Sequence, residues 1–211
     1  DSPKLEYLTH RLGQEWESMN ICIKRCACHI NAHAPIEALQ NLRAELGFRP
    51  EDIRAITIGG IEKLLSHHAN YQPTDLMMAQ YSIPFCVALS TYFDPTDPGS
   101  FDAGKLKDKK IVALMRKIHL EVDHEIEEKG WDRAARVTIE LANKRSESKL
   151  VIHFKGTPHN PLSPVEVEAK ARKLTRGIIT ERQLVKLVNL VQQLEKVADV
   201  GQIGDLLRGT R

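Results

Sequence analysis

Apolar residues return at a helical interval in some parts of the chain and at every second position in others, and these two periods lay out the elements in order. Leu5, Leu8 and Leu12 form a short stripe that Gly13 would end, so residues 4–12 are predicted as a helix. Ile21, Cys22 and Ile23 read as a short apolar strand. From Pro35 onward Ile36, Leu39, Leu42 and Leu46 recur at near-helical spacing, with Gly47 as the stop. Residues 53–58 alternate and run into Gly59 and Gly60, which predicts a strand. Thr74 and Asp75 open an apolar helix that continues to Phe93 with an interruption near Pro84, and residues 94–99 form a turn cluster rich in Asp, Pro and Gly.

The second half is punctuated more clearly. Asp108 caps a helix whose Ile111, Leu114, Met115 and Ile118 share one face, and period-two segments follow at 119–126, 135–141 and 149–154, the last two as a hairpin. Ser163-Pro164-Val165-Glu166 combines a capping Ser, a Pro at the first helical position and a Glu three residues after the cap. Thr180 and Gln183 repeat that signal before Leu184, Leu187, Val188, Val191 and Leu194. Helices at both ends with strands between them, not in strict alternation, predict a single α+β domain over 1–211: a small antiparallel-containing sheet with flanking helices and a helical C-terminus.

Composition changes the picture mainly by exclusion. The 211 residues carry 30 Lys and Arg against 28 Asp and Glu, with the two signs interspersed, so there is no basic stripe of the kind that binds nucleic acid. No apolar run reaches the roughly 20 residues needed to cross a bilayer, and Asp1-Ser2-Pro3-Lys4 does not open a signal peptide. A soluble protein of the cytoplasm, or of the mitochondrial matrix in a eukaryote, is expected. Three of the four cysteines, Cys22, Cys26 and Cys28, fall within seven residues, poor spacing for a disulfide framework, so reduced thiols are expected. The chain starts without Met and leads straight into a helical stripe, which reads as one part of a longer polypeptide.

The chemistry concentrates in residues 23–35, where Lys24, Arg25, Cys26, Cys28, His29 and His33 stand just before a helix. Cys26, Cys28, His29 and His33 are the right donors for zinc, yet a four-ligand site usually draws two pairs from separate turns, and Lys24 and Arg25 would repel a dication. The anion reading is stronger. A helix start near residues 31–35 offers unpaired N–H groups and the positive end of a dipole, beside two cations and two imidazoles, which suits a di- or tricarboxylate. A bland reading stays open: solvated Lys and Arg with two small buried thiols.

The segment Lys24-Arg25-Cys26-Ala27-Cys28-His29, with His33 and the following Ala34-Pro35-Ile36-Glu37-Ala38, resembles the lysine and histidine motif that opens the C-terminal half of the MmgE/PrpD family. That family includes 2-methylcitrate dehydratase, cis-aconitate decarboxylase and iminodisuccinate epimerase. Pro50-Glu51-Asp52-Ile53, Ala79-Gln80-Tyr81-Ser82-Ile83-Pro84-Phe85 and Gly156-Thr157-Pro158-His159-Asn160-Pro161-Leu162-Ser163 agree in order with family landmarks, while Cys26-Ala27 departs from the aromatic residue and proline common in the family. The resemblance implies the lid-like domain of a cofactor-independent lyase or isomerase of small polycarboxylates, first of all a 2-methylcitrate dehydratase-like hydro-lyase of propionate metabolism. It also implies a helical N-terminal domain of the same polypeptide as partner, admits a homodimer, and leaves this chain inactive by itself.

Dehydrating a β-hydroxy carboxylate needs a base for the α-proton, an acid for the leaving hydroxide and cations for carboxylate and enolate-like charge. Decarboxylation and epimerisation reuse those parts. By resemblance His29 transfers protons, and Lys24 binds a carboxylate or donates a proton. Arg25 and His33 are second choices for substrate binding: His33 equally suits a role behind the site, and Arg25 follows Lys24 on an extended segment and so can point to the other side. Neither metal nor organic cofactor is expected, since Gly59-Gly60 lacks the third glycine and paired acid of a dinucleotide fingerprint. The runner-up of another class is a Cys/His module that holds zinc or a partner. His67-His68 reads as a solvated helix end, His119, His124 and His153 as surface positions on strands, and His159 as part of a shaped turn.

Overall fold

The computed structural model describes residues 4–208. Asp1, Ser2 and Pro3 lie outside them. After 3-10 turns at Leu5–Leu8, Glu17–Asn20 and Ile30–Ala32, helix α1 (His33–Leu46) leads into strand β1 (Ile53–Gly60). Helices α2 (Glu62–His68), α3 (Leu76–Tyr81), α4 (Ile83–Tyr92) and α5 (Lys109–Met115) cross over to β2 (Ile118–Val122). A short α6 (His124–Glu128) precedes the hairpin β3 (Ala135–Leu141) and β4 (Ser146–Val151), and α7 (Pro164–Leu174), α8 (Glu181–Gln192) and α9 (Gly201–Leu207) close the chain.

The strands form one mixed sheet in the order β2-β1-β3-β4, with β1 parallel to β2 and antiparallel to β3. The α+β expectation holds, and the hairpin pairs Ala135 with Val151 at one end and Glu140 with Ser146 at the other. Along β3, Ala135, Val137, Ile139 and Leu141 are buried while Arg136, Thr138 and Glu140 face outward, the alternation of a sheet covered on one face. The cover is α1, which packs on β3 and β4, with α4 lying between α1 and α5. Ile36, Leu39 and Leu42 of α1 and Phe85 and Leu89 of α4 meet Ile56, Ile58, Val137 and Ile139 of the sheet. Each such side chain contributes about 1.5–3 kcal/mol by leaving water.

Local signals explain most boundaries. Gly47 takes φ 68 and stops α1. Ser82, whose Oγ accepts from Phe85 N–H at 3.1 Å, separates α3 from α4 just before Pro84. The Ser163 and Thr180 capping boxes both form. Among the described residues no helix is long and apolar enough to cross a membrane.

Three expectations are corrected. Residues 21–23 are not a strand: Ile21 and Ile23 are exposed, and Ile23 N–H makes only an isolated bond to Gly156 O at 2.9 Å. Residues 4–12 form a 3-10 turn and further turns in place of one helix, with Leu5, Leu8 and Leu12 all exposed. A stripe with nothing packed against it does not hold so short a helix. The segment 119–126 is strand only to Val122, because Asp123 accepts from Ile126 N–H at 3.1 Å and caps α6; His124 is therefore helical, and Ile118 belongs to β2.

Candidate active site

The loop of residues 24–29 has no regular structure, so its shape comes from bonds to its neighbours. Ala27 N–H donates to Pro95 O at 3.1 Å and His29 N–H to Gln80 O at 2.8 Å, while the Gln80 side-chain amide donates to Ala27 O at 2.8 Å. From α7, Lys170 Nζ donates to Lys24 O at 2.6 Å. The turn at Gly156 seats the segment that enters the loop. Gly156 has φ 107, and a Cβ there would collide with the Ile23 carbonyl oxygen, one residue before Lys24. Only glycine satisfies both demands.

Beneath the loop lie Cys26 and Cys28, both buried, and Cys86, also buried, donates its thiol to Ala79 O at 3.3 Å. Hydrogen bonding with Cys28, together with burial, raises the Cys26 thiol's pKa far above its usual value. These thiols are neutral small hydrophobes. His33 is buried as well, and both ring nitrogens are taken by main chain: Nε2 accepts from Cys26 N–H at 3.2 Å and Nδ1 donates to His29 O at 3.2 Å. Its ring sits 5.2 Å from that of Phe154. In this arrangement His33 holds the loop and has no polar atom left for a substrate. Desolvation by burial lowers its pKa from 6.5 to about 4.

His29 and Lys24 lie differently. The His29 ring is half-buried between two others, 4.3 Å from His68 and 4.7 Å from Tyr81. Nδ1 accepts from Asn31 N–H at 3.3 Å. Desolvation first, then the charges of His68, Lys24 and Lys63, bring its pKa down to about 4. Lys24 is exposed, and its ammonium makes no ion pair among the described residues. Arg25 goes elsewhere. Its guanidinium donates to Gln40 Oε1 at 3.0 Å and lies 3.9 Å from Glu37, both on α1, and it lines a pocket of about 140 Å³ with Lys170 and Lys173. The charge of Lys24 is felt at both His29 and His33, but Arg25 turns to α1 and the His33 ring is taken up by main chain, which leaves the exposed Lys24 and the half-buried His29 as the groups with polar atoms free of such bonds.

One reading of this segment changes. The helix start is not an open anion cradle, because Asn31 N–H is spent on His29 Nδ1, Ala32 N–H on His29 O and His33 N–H on Ile30 O, while Ala34 and Ile36 are fully buried. Cation charge from Lys24 and Lys63 remains for a carboxylate. The zinc-type donors do not converge: the His33 ring bonds main chain, His29 stacks between Tyr81 and His68, and no group of three metal-type ligands forms among the described residues.

His68, read from sequence as a solvated helix end, is buried against His29, whereas His67 is exposed. His68 Nδ1 donates to Tyr81 O at 3.1 Å, and its Nε2 meets the Asn31 side-chain amide at 3.2 Å. One signal was available: Leu64 and His68 are four apart on α2, so the side that buries Leu64 also buries His68. His119, His124 and His153 are exposed, and His153 stacks on His159 at 4.3 Å.

The chain is similar to known proteins over nearly its whole length. The chain is 27% identical over 214 residues to the cis-aconitate decarboxylase-like protein oryM of Aspergillus oryzae, an alignment covering 98% of this chain and 44% of that protein. It is 24% identical over 218 residues to the cis-aconitate decarboxylase of Aspergillus terreus, covering 97% and 44%. The chain therefore spans less than half the length of these relatives. The MmgE/PrpD C-terminal domain profile matches residues 26–196, beginning two residues after Lys24. By that match over most of its length, the chain belongs to the MmgE/PrpD family.

Proposed function

We propose that this chain is the lid-like part of a lyase acting on a small polycarboxylate, and that the face bearing Lys24 and His29 is one wall of its active site. The observation that carries the reading is the pairing of an exposed ammonium without an ion-pair partner among the described residues and a half-buried imidazole close enough to feel its charge. Met77, Met78 and Tyr81 stand exposed on the same α3 that supplies the ring beside His29, an apolar rim suited to closing against a second domain. That second wall would be a helical N-terminal domain of the same polypeptide.

Decarboxylation of a cis-aconitate-like tricarboxylate is the favoured reaction, since one relative is named a cis-aconitate decarboxylase and the other a cis-aconitate decarboxylase-like protein. 2-Methylcitrate dehydration is kept as the second reading, since it would use the same proton-transfer groups. In decarboxylation a C–C bond to a carboxylate breaks, its electron pair stays on the substrate, and a proton is added at carbon in place of CO2. Lys24 would hold a remaining carboxylate or deliver that proton, and His29 would face the developing negative charge. The test is to incubate the intact polypeptide with cis-aconitate, 2-methylcitrate, citrate and iminodisuccinate and identify products. CO2 release from cis-aconitate is expected. Dehydration of 2-methylcitrate would favour the hydro-lyase reading, and no turnover of any of the four would defeat the proposal.

A further inference from the structure

We propose that His29 works as a neutral hydrogen-bond donor with its Nε2–H directed at the substrate, and that Asn31 and His68 are positioning residues that hold it in that form. The tautomer follows from the chain's own geometry. Its role in turnover rests on the lyase reading above.

The protons can be placed in series, starting from a group whose character is fixed. Tyr81 O is a carbonyl and only accepts, so His68 Nδ1, 3.1 Å away, carries a proton. A neutral His68 then has a lone pair on Nε2, and the group 3.2 Å from it is the Asn31 side-chain NH2, which donates. Asn31 is thereby anchored. Its backbone N–H points at His29 Nδ1 at 3.3 Å, and an amide N–H only donates, so Nδ1 holds the lone pair. In a neutral ring the remaining proton is on Nε2. That atom has no partner among the described residues, yet it is not a buried unsatisfied group, so it is reached from solvent on the open side of the site.

The surroundings keep the ring neutral. The groups facing it are Lys24 from the loop, Lys63 and His68 from α2 and Tyr81 from α3, and no carboxylate is among them to favour an imidazolium. Two flanking rings fix its plane. A neutral imidazole N–H is a poor proton source, and its use is as a dipole that gains strength as negative charge grows on a substrate oxygen. The proton that replaces CO2 on carbon would then come from the Lys24 ammonium, which regains one from water.

Two measurements decide the matter. In the 211-residue chain labelled with 15N-histidine, long-range proton–nitrogen NMR at pH 7 should show His29 with Nε2 protonated and Nδ1 bare. In His68→Phe, which keeps a flat ring but loses the anchor for Asn31, the Nδ1 resonance should shift toward a mixture of tautomers. In the intact polypeptide His29→Gln retains a neutral N–H donor and should lose about ten-fold in kcat, against about 10²–10³-fold for His29→Ala, the range for losing a donor to developing charge. A His29 that is doubly protonated or Nδ1-protonated at pH 7 overturns the inference with or without turnover. So does an active enzyme in which His29→Gln is as impaired as His29→Ala. Absence of turnover by every variant and the parent counts against the lyase reading, and the NMR result still decides the tautomer.

Discussion

Acidification should destabilise this domain through His33, and the size of the effect follows from its position. The ring is buried with main-chain partners on both nitrogens, and its pKa falls from 6.5 to about 4, mainly by desolvation. The sign is that of a depressed base. Above pH 6.5 the ring is neutral in both states, and nothing is lost. Between 6.5 and about 4 the unfolded chain takes up a proton that the native ring refuses, so stability declines as pH falls. At about 1.36 kcal/mol per pH unit, the drop approaches 3 kcal/mol by pH 4. His29 and His68 are shifted in the same direction and add to the slope. Urea unfolding from pH 7.5 to 4.5 on the parent and His33→Asn isolates the contribution. The variant keeps a polar side chain in place and should lose close to one proton's worth of the slope. Equal slopes in the two proteins, or a parent whose stability is flat across this range, would refute the reasoning.

Other outcomes follow from particular residues. Gly156→Ala should destabilise by about 1–3 kcal/mol from backbone strain alone, with further loss from the collision at Ile23, read as a lower urea midpoint and a lower kcat in the intact polypeptide. Ser163→Ala removes one cap of α7, which also carries Lys170, and should cost about 1 kcal/mol in chemical unfolding while leaving the sheet intact. The 211-residue chain by itself should not turn over cis-aconitate, because a site with one wall is open to water and charge stabilisation there is weak; turnover near the rate of the intact polypeptide would contradict the two-walled site.

The parts of the fold legible in the sequence are those specified by neighbouring residues. Gly47 ends α1, Ser163 with Glu166 and Thr180 with Gln183 start α7 and α8, and the alternation in 135–141 makes a strand, because each signal acts within one turn or one pleat. What could not be read depends on distant contacts. Ile21 and Ile23 look like a strand until it is known that no strand among the described residues lies beside them. Leu5, Leu8 and Leu12 look like a packed helix until their cover proves absent among the described residues. In the site, the cluster of Lys24, Arg25, His29 and His33 is visible in sequence, and the alternation of an extended segment already lets Arg25 point away from Lys24, but the partners that divide the cluster are not visible. Gln40 and Glu37 draw Arg25 away, and Cys26 and His29 main chain capture the His33 ring. His68 joins the site because α3 returns Tyr81 O to its Nδ1, a contact spanning thirteen residues.

The central claim is that Lys24 and His29 form a catalytic wall, and it is tested most directly by kcat for CO2 release from cis-aconitate in the intact polypeptide carrying Lys24→Met. That change keeps most of the length of an exposed side chain and removes only its charge and proton, so folding measured by circular dichroism should not alter. A fall of about 10²–10⁴-fold is expected, the range for losing a positioned acid. A variant that folds normally and releases CO2 at the parent rate would contradict it.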